Sequence, residues 1–191
     1  MKELLVILIS TAFVNNVVLS RFLGICPFLG VSKKIKTAAG MGAAIIFVVT
    51  LSSFLTALIY KFVLVKTGLE YMNTIVFIVV IAALVQLIEM FLKKNVPSLY
   101  QALGVYLPLI TTNCCVLGTA ITNVDEGYNL LRAVVNGIGT SVGFCIAIVI
   151  MASIREHLED APILKNVKGS PIVLVTGALM AIAFCGFSGI L

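Results

Sequence analysis

Long apolar runs alternate with short polar and basic stretches along all 191 residues. Runs of about 20 apolar residues are long enough to cross a hydrocarbon core of roughly 30 Å. Six such spans are predicted, at about 4–26, 38–60, 71–92, 99–121, 130–153 and 171–190. The connecting loops are too short for a soluble domain, so the pattern predicts an all-α integral membrane protein. The whole chain, 1–191, reads as one membrane domain.

Two of the runs are too long and are interrupted. Leu4 to Ser32 is 29 residues, which as straight helix would measure about 43 Å at roughly 1.5 Å per residue. Gly24 and Pro27 are expected to break it near Cys26. The run from Ser98 to Val124 is interrupted by Pro108 and by Thr111-Thr112-Asn113. Non-helical backbone at membrane depth survives only where protein or a cavity satisfies its polar groups. Spans 1 and 4 are therefore predicted to break near the midplane and to mark a binding site.

The two breaks carry the same short motif. Aligned on Cys26 and Cys114, both read Cys-x-x-Leu-Gly. Gly40-Met41-Gly42 opens span 2, and Gly137-Ile138-Gly139 lies early in span 5. The spans thus form two three-helix repeats, about 1–95 and 96–191. Three spans per half make the repeats inverted. Basic residues set the orientation. Lys33, Lys34, Lys36, Lys93, Lys94, Arg155, Lys165 and Lys168 lie in loops 1, 3 and 5; only Lys2, Lys61, Lys66 and Arg132 lie on the other side. The positive-inside rule places loops 1, 3 and 5 in the cytoplasm and both termini outside. Gly139-x-x-x-Gly143 and Gly177-x-x-x-Ala181 are candidates for close helix packing.

Composition agrees. The chain is 61% hydrophobic and 11% charged, against about 25% charged in a soluble domain. The net charge of +5 is spread over the loop clusters and implies no nucleic-acid partner. Lys2 and the apolar residues after it imitate a signal peptide, but Asn15-Asn16 follows where a small-residue cleavage site would be. With no Trp, interfacial anchoring falls to Tyr60, Tyr71, Tyr100, Tyr106 and Tyr128.

Five cysteines in apolar surroundings do not suggest a disulfide framework. A stray membrane cysteine behaves as a small hydrophobe, and Cys145 and Cys185 are read that way. Cys26 and Cys114 differ, because both sit at repeat-related breaks. Thiolates suit Fe–S clusters, Zn or Cu(I). A [2Fe–2S] cluster takes four ligands; this chain offers two, so a partner must supply the others. Cys115 adjoins Cys114, and the repeat alignment selects Cys114. Glu89, late in span 3, suits either an ion path or an interfacial role beside Lys93. Asn15, Asn16 and Asn113 suit either a polar pathway or caps for broken helix ends. Arg155-Glu156-His157 is expected to be a solvated edge. No phosphate loop, nucleophilic triad or dinucleotide fingerprint is present, so any substrate of a redox reaction must bind elsewhere.

Val14-Asn15-Asn16, Phe22-Leu23-Gly24-Ile25-Cys26-Pro27-Phe28-Leu29-Gly30-Val31-Ser32-Lys33-Lys34 and Leu107-Pro108-Leu109-Ile110-Thr111-Thr112-Asn113-Cys114 closely resemble the family of A subunits of Rnf electron-transport complexes. Val85-Gln86-x-x-Glu89-Met90, Ile154-Arg155-Glu156 and Gly177-Ala178-Leu179-Met180 extend the likeness over nearly the whole chain. The related membrane component of the Na⁺-pumping NADH:quinone reductase is also similar, but Asn15-Asn16 and Pro27 look more like the Rnf version. The resemblance implies an ion-translocating ferredoxin:NAD⁺ oxidoreductase of the bacterial inner membrane, coupled to Na⁺ or H⁺. It implies one [2Fe–2S] cluster held by Cys26 and Cys114 with two cysteines of the homologous E subunit. The B, C, D and G subunits are the further implied partners. Cys115 departs from the family pattern, where a small apolar residue is usual. The competing readings are a small inverted-repeat secondary transporter without a redox role and a scaffold subunit that only seats other membrane proteins.

Overall fold

The computed structural model describes residues 2–68, 70–95, 109–110, 112–159 and 169–187. Every regular element among them is helical. α1 (Lys2–Ile9) continues as a π-helical segment, Ser10–Val14. After an irregular stretch come α2 (Ile25–Val31) and α3 (Ile35–Ile59), the latter running on through a π-helical segment, Tyr60–Leu64. A helical turn, Val65–Thr67, and a 3₁₀ turn, Glu70–Met72, lead to α4 (Asn73–Asn95); α5 (Cys114–Asp125), α6 (Leu130–Glu159) and α7 (Ser170–Cys185) follow. Among the described residues three helices are long and apolar enough to cross a membrane: Ile35–Leu64, Asn73–Met90 and Leu130–Leu158. Glu3–Val14, Cys114–Asp125 and Ser170–Cys185 are shorter apolar helices. The first part of the predicted span 4, with Pro108, and the loop lysines Lys165 and Lys168 lie outside the described residues.

The break in the first span begins earlier than the sequence suggests. The helix ends at Asn15, whose N–H donates to the Ser10 carbonyl at 2.7 Å. Pro27 breaks nothing; it sits in the first turn of α2, where its missing N–H leaves no bond unmade. Gly24, at φ 83°, makes the left-handed turn into α2. Phe22 is the one non-glycine with positive φ among the described residues, at 55°.

α3 and α6 pack along their length and form the centre. Met41, Ile45, Val49, Phe144, Ile148 and Met151 are fully buried there. Small residues allow the approach. A Cβ on Gly42 would overlap Cys145, and one on Gly137 would lie 2.9 Å from the Ser53 Cβ. α1 packs on α6, and α5 packs on α3. The Gly139-x-x-x-Gly143 stripe finds its partner in the first helix: Gly139 abuts Leu8 and Thr11, and Gly143 abuts the backbone of Ala12. Gly177, in the other small-residue pair, has nothing within 4 Å of where its Cβ would be. Outward faces carry large apolar side chains, among them Phe47, Ile75, Val79, Leu87, Leu179 and Ile182. An apolar exterior around a core that contains Asn16, Asn113, Asn123 and Asn136 suits a lipid solvent rather than water.

Candidate functional site: two cysteine-bearing helix starts

Both breaks end by starting a helix, and each helix start carries a cysteine. Cys26 is the second residue of α2, and Cys114 is the first of α5. Both side chains are exposed. The two turns touch. A Cβ built on Gly24 would lie 3.0 Å from Asn113 Oδ1 and 3.2 Å from the Cys115 Cβ. Leu23 likewise packs on Gly118. Glycine at 24 and 118 thus permits the Cys26 turn to seat on the Cys114 turn. The residues just before the first Cys-x-x-Leu-Gly motif, Leu23 and Gly24, thus pack on the second, although the two are far apart in sequence.

Cys115 is separated from its neighbour by burial. It is 0% exposed, faces Gly24, and its carbonyl accepts from Thr119 Oγ1 at 2.8 Å. A helix turns by roughly 100° per residue, so adjacent thiols at a helix start cannot share one face. Cys145 packs on Gly42, and Cys185 is exposed late in α7. Among the described residues no group of three or more His, Cys, Asp or Glu side chains gathers into a metal-binding set.

Asparagines hold both breaks. Asn16 is 1% exposed and fully used. Its Nδ2 donates to the Ala12 carbonyl at 3.1 Å and the Gly143 carbonyl at 2.9 Å; its Oδ1 accepts from the N–H groups of Val18 and Leu19. It therefore satisfies backbone freed by the break and ties the break to α6. Asn113 caps α5, its Oδ1 accepting from the Cys115 N–H at 3.0 Å. Asn15 is exposed and reaches only Ser10 Oγ, at 3.4 Å. It lines a cleft of about 280 Å³ between the first helix, α5 and α6. Glu89 is half-exposed on α4 and does not line that cleft. It forms no ion pair with Lys93; among the described residues the ion pair is Arg132–Glu3 at 2.6 Å.

Sequence reasoning found Asn15 but passed over the other polar residues of this cleft. Arg21 Nη1 donates to Thr122 Oγ1 at 2.7 Å across it, with Glu126 and Asn136 on its wall. Asn136 Nδ2 donates to Asn123 Oδ1 at 2.7 Å, both buried. The available signal was an arginine and two asparagines inside or beside apolar runs, where polar side chains need partners. The Arg155-Glu156-His157 edge is only partly solvated: His157 is exposed, but Arg155 Nη1 donates to the Leu29 carbonyl and to Ser32 Oγ, each at 2.8 Å. Glu156 Oε1 accepts from the Ile35 N–H at 3.1 Å, capping α3 from another helix. The end of α6 thereby clamps the loop between α2 and α3.

Residues 4–191 match the family described as "Rnf-Nqr subunit, membrane protein". The chain is 58% identical over 186 residues to the A subunit of the Na(+)-translocating ferredoxin:NAD(+) oxidoreductase complex of Acetobacterium woodii, covering 97% of each chain. It is 50% identical over 190 residues to the A subunit of the ion-translocating oxidoreductase complex of Syntrophotalea carbinolica, covering 100% of this chain and 98% of that one. The protein of the same description from Vibrio cholerae serotype O1 (strain ATCC 39315 / El Tor Inaba N16961) is 48% identical over 190 residues, with the same coverage.

Proposed function

The chain belongs to the Rnf-Nqr family of membrane subunits, and from that premise we propose that it is the A subunit of an ion-translocating ferredoxin:NAD⁺ oxidoreductase. Its role there is electron relay within the membrane, through a [2Fe–2S] cluster that it shares with a homologous subunit. One observation carries this reading: Cys26 and Cys114 are both exposed in the first turns of α2 and α5, on turns that touch, while Cys115 is buried.

The donor set fits the group. Cysteine thiolates are the usual ligands of [2Fe–2S] clusters, which take four. Cys26 and Cys114 would supply two from an exposed face, and a partner chain the other two. When bound, such a cluster supplies a one-electron carrier between donors and acceptors on the two sides of the membrane. The chain's own residues hold the pair in place. Gly24 and Gly118 let the turns meet, Asn113 starts α5, and Asn16 braces the first break against α6.

Several features support six spans in two inverted repeats within the single domain 1–191. α1 with its π segment is 13 residues and α5 is 12, so each reaches only about 18–20 Å at roughly 1.5 Å per residue. Both therefore end near mid-membrane. The packing pairs also exchange under the repeat: the first span lies on the fifth, and the fourth on the second. The Glu3–Arg132 pair joins the N-terminus to the start of α6. The Arg155 and Glu156 bonds join loop 1 to the end of α6. Those two groupings are the two sides that the basic-residue count separates, with the termini outside the cytoplasmic membrane. Na⁺ or H⁺ is the coupled ion. Asn15, lining the polar cleft, is a better candidate for an ion path than Asn16, whose amide is saturated. Glu89 stands apart from that cleft.

The test is iron content and low-temperature EPR of the purified complex, comparing parent with Cys26→Ser, Cys114→Ser and Cys115→Ser. One reduced [2Fe–2S] signal should vanish in the first two and persist in the third. Retention of every iron signal in all three would make the cysteines packing residues and leave the transporter reading.

A further inference from the structure

We propose that Asn113, beyond capping α5, donates a hydrogen bond from its side-chain amide to a ligand cysteine sulfur and so raises the potential of the cluster held there. The inference rests on the shared-cluster reading above. Its basis is an unmet donor. Asn113 is 4% exposed, and its Nδ2 is the one buried side-chain polar atom among the described residues without a hydrogen-bond partner. Leaving such a group buried and unpaired is costly, because its hydration is lost with nothing in return.

The other buried asparagines show that the chain does not tolerate this casually. Asn16 uses both ends of its amide, and Asn136 donates to Asn123. Nor can the Asn113 amide be turned round. Its Oδ1 faces the Cys115 N–H, and a flip would set donor against donor. Capping alone does not require the amide, because Ser, Thr or Asp caps a helix about as well and leaves no buried NH₂. The nitrogen is the part of the side chain that the cap does not use.

No sulfur accepts from Nδ2 in this structure; its place beside both cysteine-bearing turns points to the acceptor that cluster binding would bring to it. Asn113 immediately precedes Cys114, and Gly24 seats against it two residues before Cys26. The amide therefore lies between the two cysteine-bearing turns. A thiol is a weak acceptor, whereas a metal-bound thiolate sulfur carries negative charge and accepts well. Reduction adds further negative charge, so the donor favours the reduced state and raises the potential.

The experiment is a redox titration of the reduced [2Fe–2S] EPR signal in the intact complex, parent against Asn113→Ser. Serine keeps a capping oxygen but is too short to place a donor where Nδ2 lies. The signal should persist, with the reduced-to-oxidised ratio at fixed ambient potential lower by about tenfold, equivalent to about 59 mV for a one-electron couple. A role in capping alone predicts an unchanged midpoint, and that result overturns the inference. Complex labelled with ¹⁵N in asparagine side-chain amides gives a readout independent of any variant's folding. Pulsed EPR of the parent should detect a coupled ¹⁵N nucleus, and its absence overturns the inference even if Asn113→Ser loses the cluster. Failure of the underlying reading looks different: every iron signal survives Cys26→Ser and Cys114→Ser.

Discussion

Gly143→Ala adds one methyl group to the centre of the fold, and its cost can be worked from the packing. The new Cβ would lie 2.6 Å from the Ala12 carbonyl oxygen and 2.9 Å from the Ala12 Cα. Both are backbone atoms, so no rotamer change relieves the overlap, and the first helix must move away from α6. Overpacking of this kind costs about 1–3 kcal/mol. The displacement also stretches the Asn16 Nδ2 bond to the Gly143 carbonyl, now 2.9 Å, for about 1 kcal/mol more. Alanine returns up to about 1 kcal/mol as a better helix former. The net loss is about 2 kcal/mol, which for a chain of this size lowers the melting temperature by about 4–8 °C. Gly177→Ala is the matched control, since nothing lies within 4 Å of its added methyl. It should be neutral or slightly stabilising. The assay is the fraction of purified complex that stays monodisperse after brief heating, read by size-exclusion chromatography. Equal melting of parent and Gly143→Ala, or an equal loss in Gly177→Ala, would refute the reasoning.

Two further substitutions probe the break and the clamp. Asn16→Leu keeps volume but strands the Val18 and Leu19 N–H groups and removes the tie to the Gly143 carbonyl. It should cost about 3 kcal/mol in the same heating assay, whereas Asn15→Leu, at an exposed site, should cost little; equal losses would remove Asn16 from its bracing role. Arg155→Ala frees the Leu29 carbonyl and Ser32 Oγ and so loosens the loop bearing the exposed Lys33 and Lys34. Tryptic cleavage after those lysines in detergent-solubilised complex should quicken several-fold, while His157→Ala, also exposed, should leave it unchanged.

The sequence by itself determined the solvent, the all-helical character and the pair of residues to watch. Apolar runs of membrane-crossing length can be read without tertiary information, because every backbone group in hydrocarbon must be satisfied within a helix. The paired Cys-x-x-Leu-Gly motifs were legible as well, because repetition of a rare residue at corresponding positions is a one-dimensional signal. Contacts between distant segments were not legible. That Gly139 and Gly143 meet the first helix, that Gly24 seats on Asn113 and Cys115, and that Arg155 clamps loop 1 all depend on which helix faces lie together. The break itself was misplaced for the same reason. Pro27 looks like a helix breaker in isolation, yet it sits harmlessly in a first turn. Asn15 and Asn16 mark the true end, because the buried Asn16 amide satisfies the released backbone and reaches α6. The difference in burial between Cys114 and Cys115 likewise belongs to the tertiary structure. Two adjacent thiols are chemically alike in sequence, and packing in the core, with Gly24 among its contacts, buries Cys115 while Cys114 is exposed.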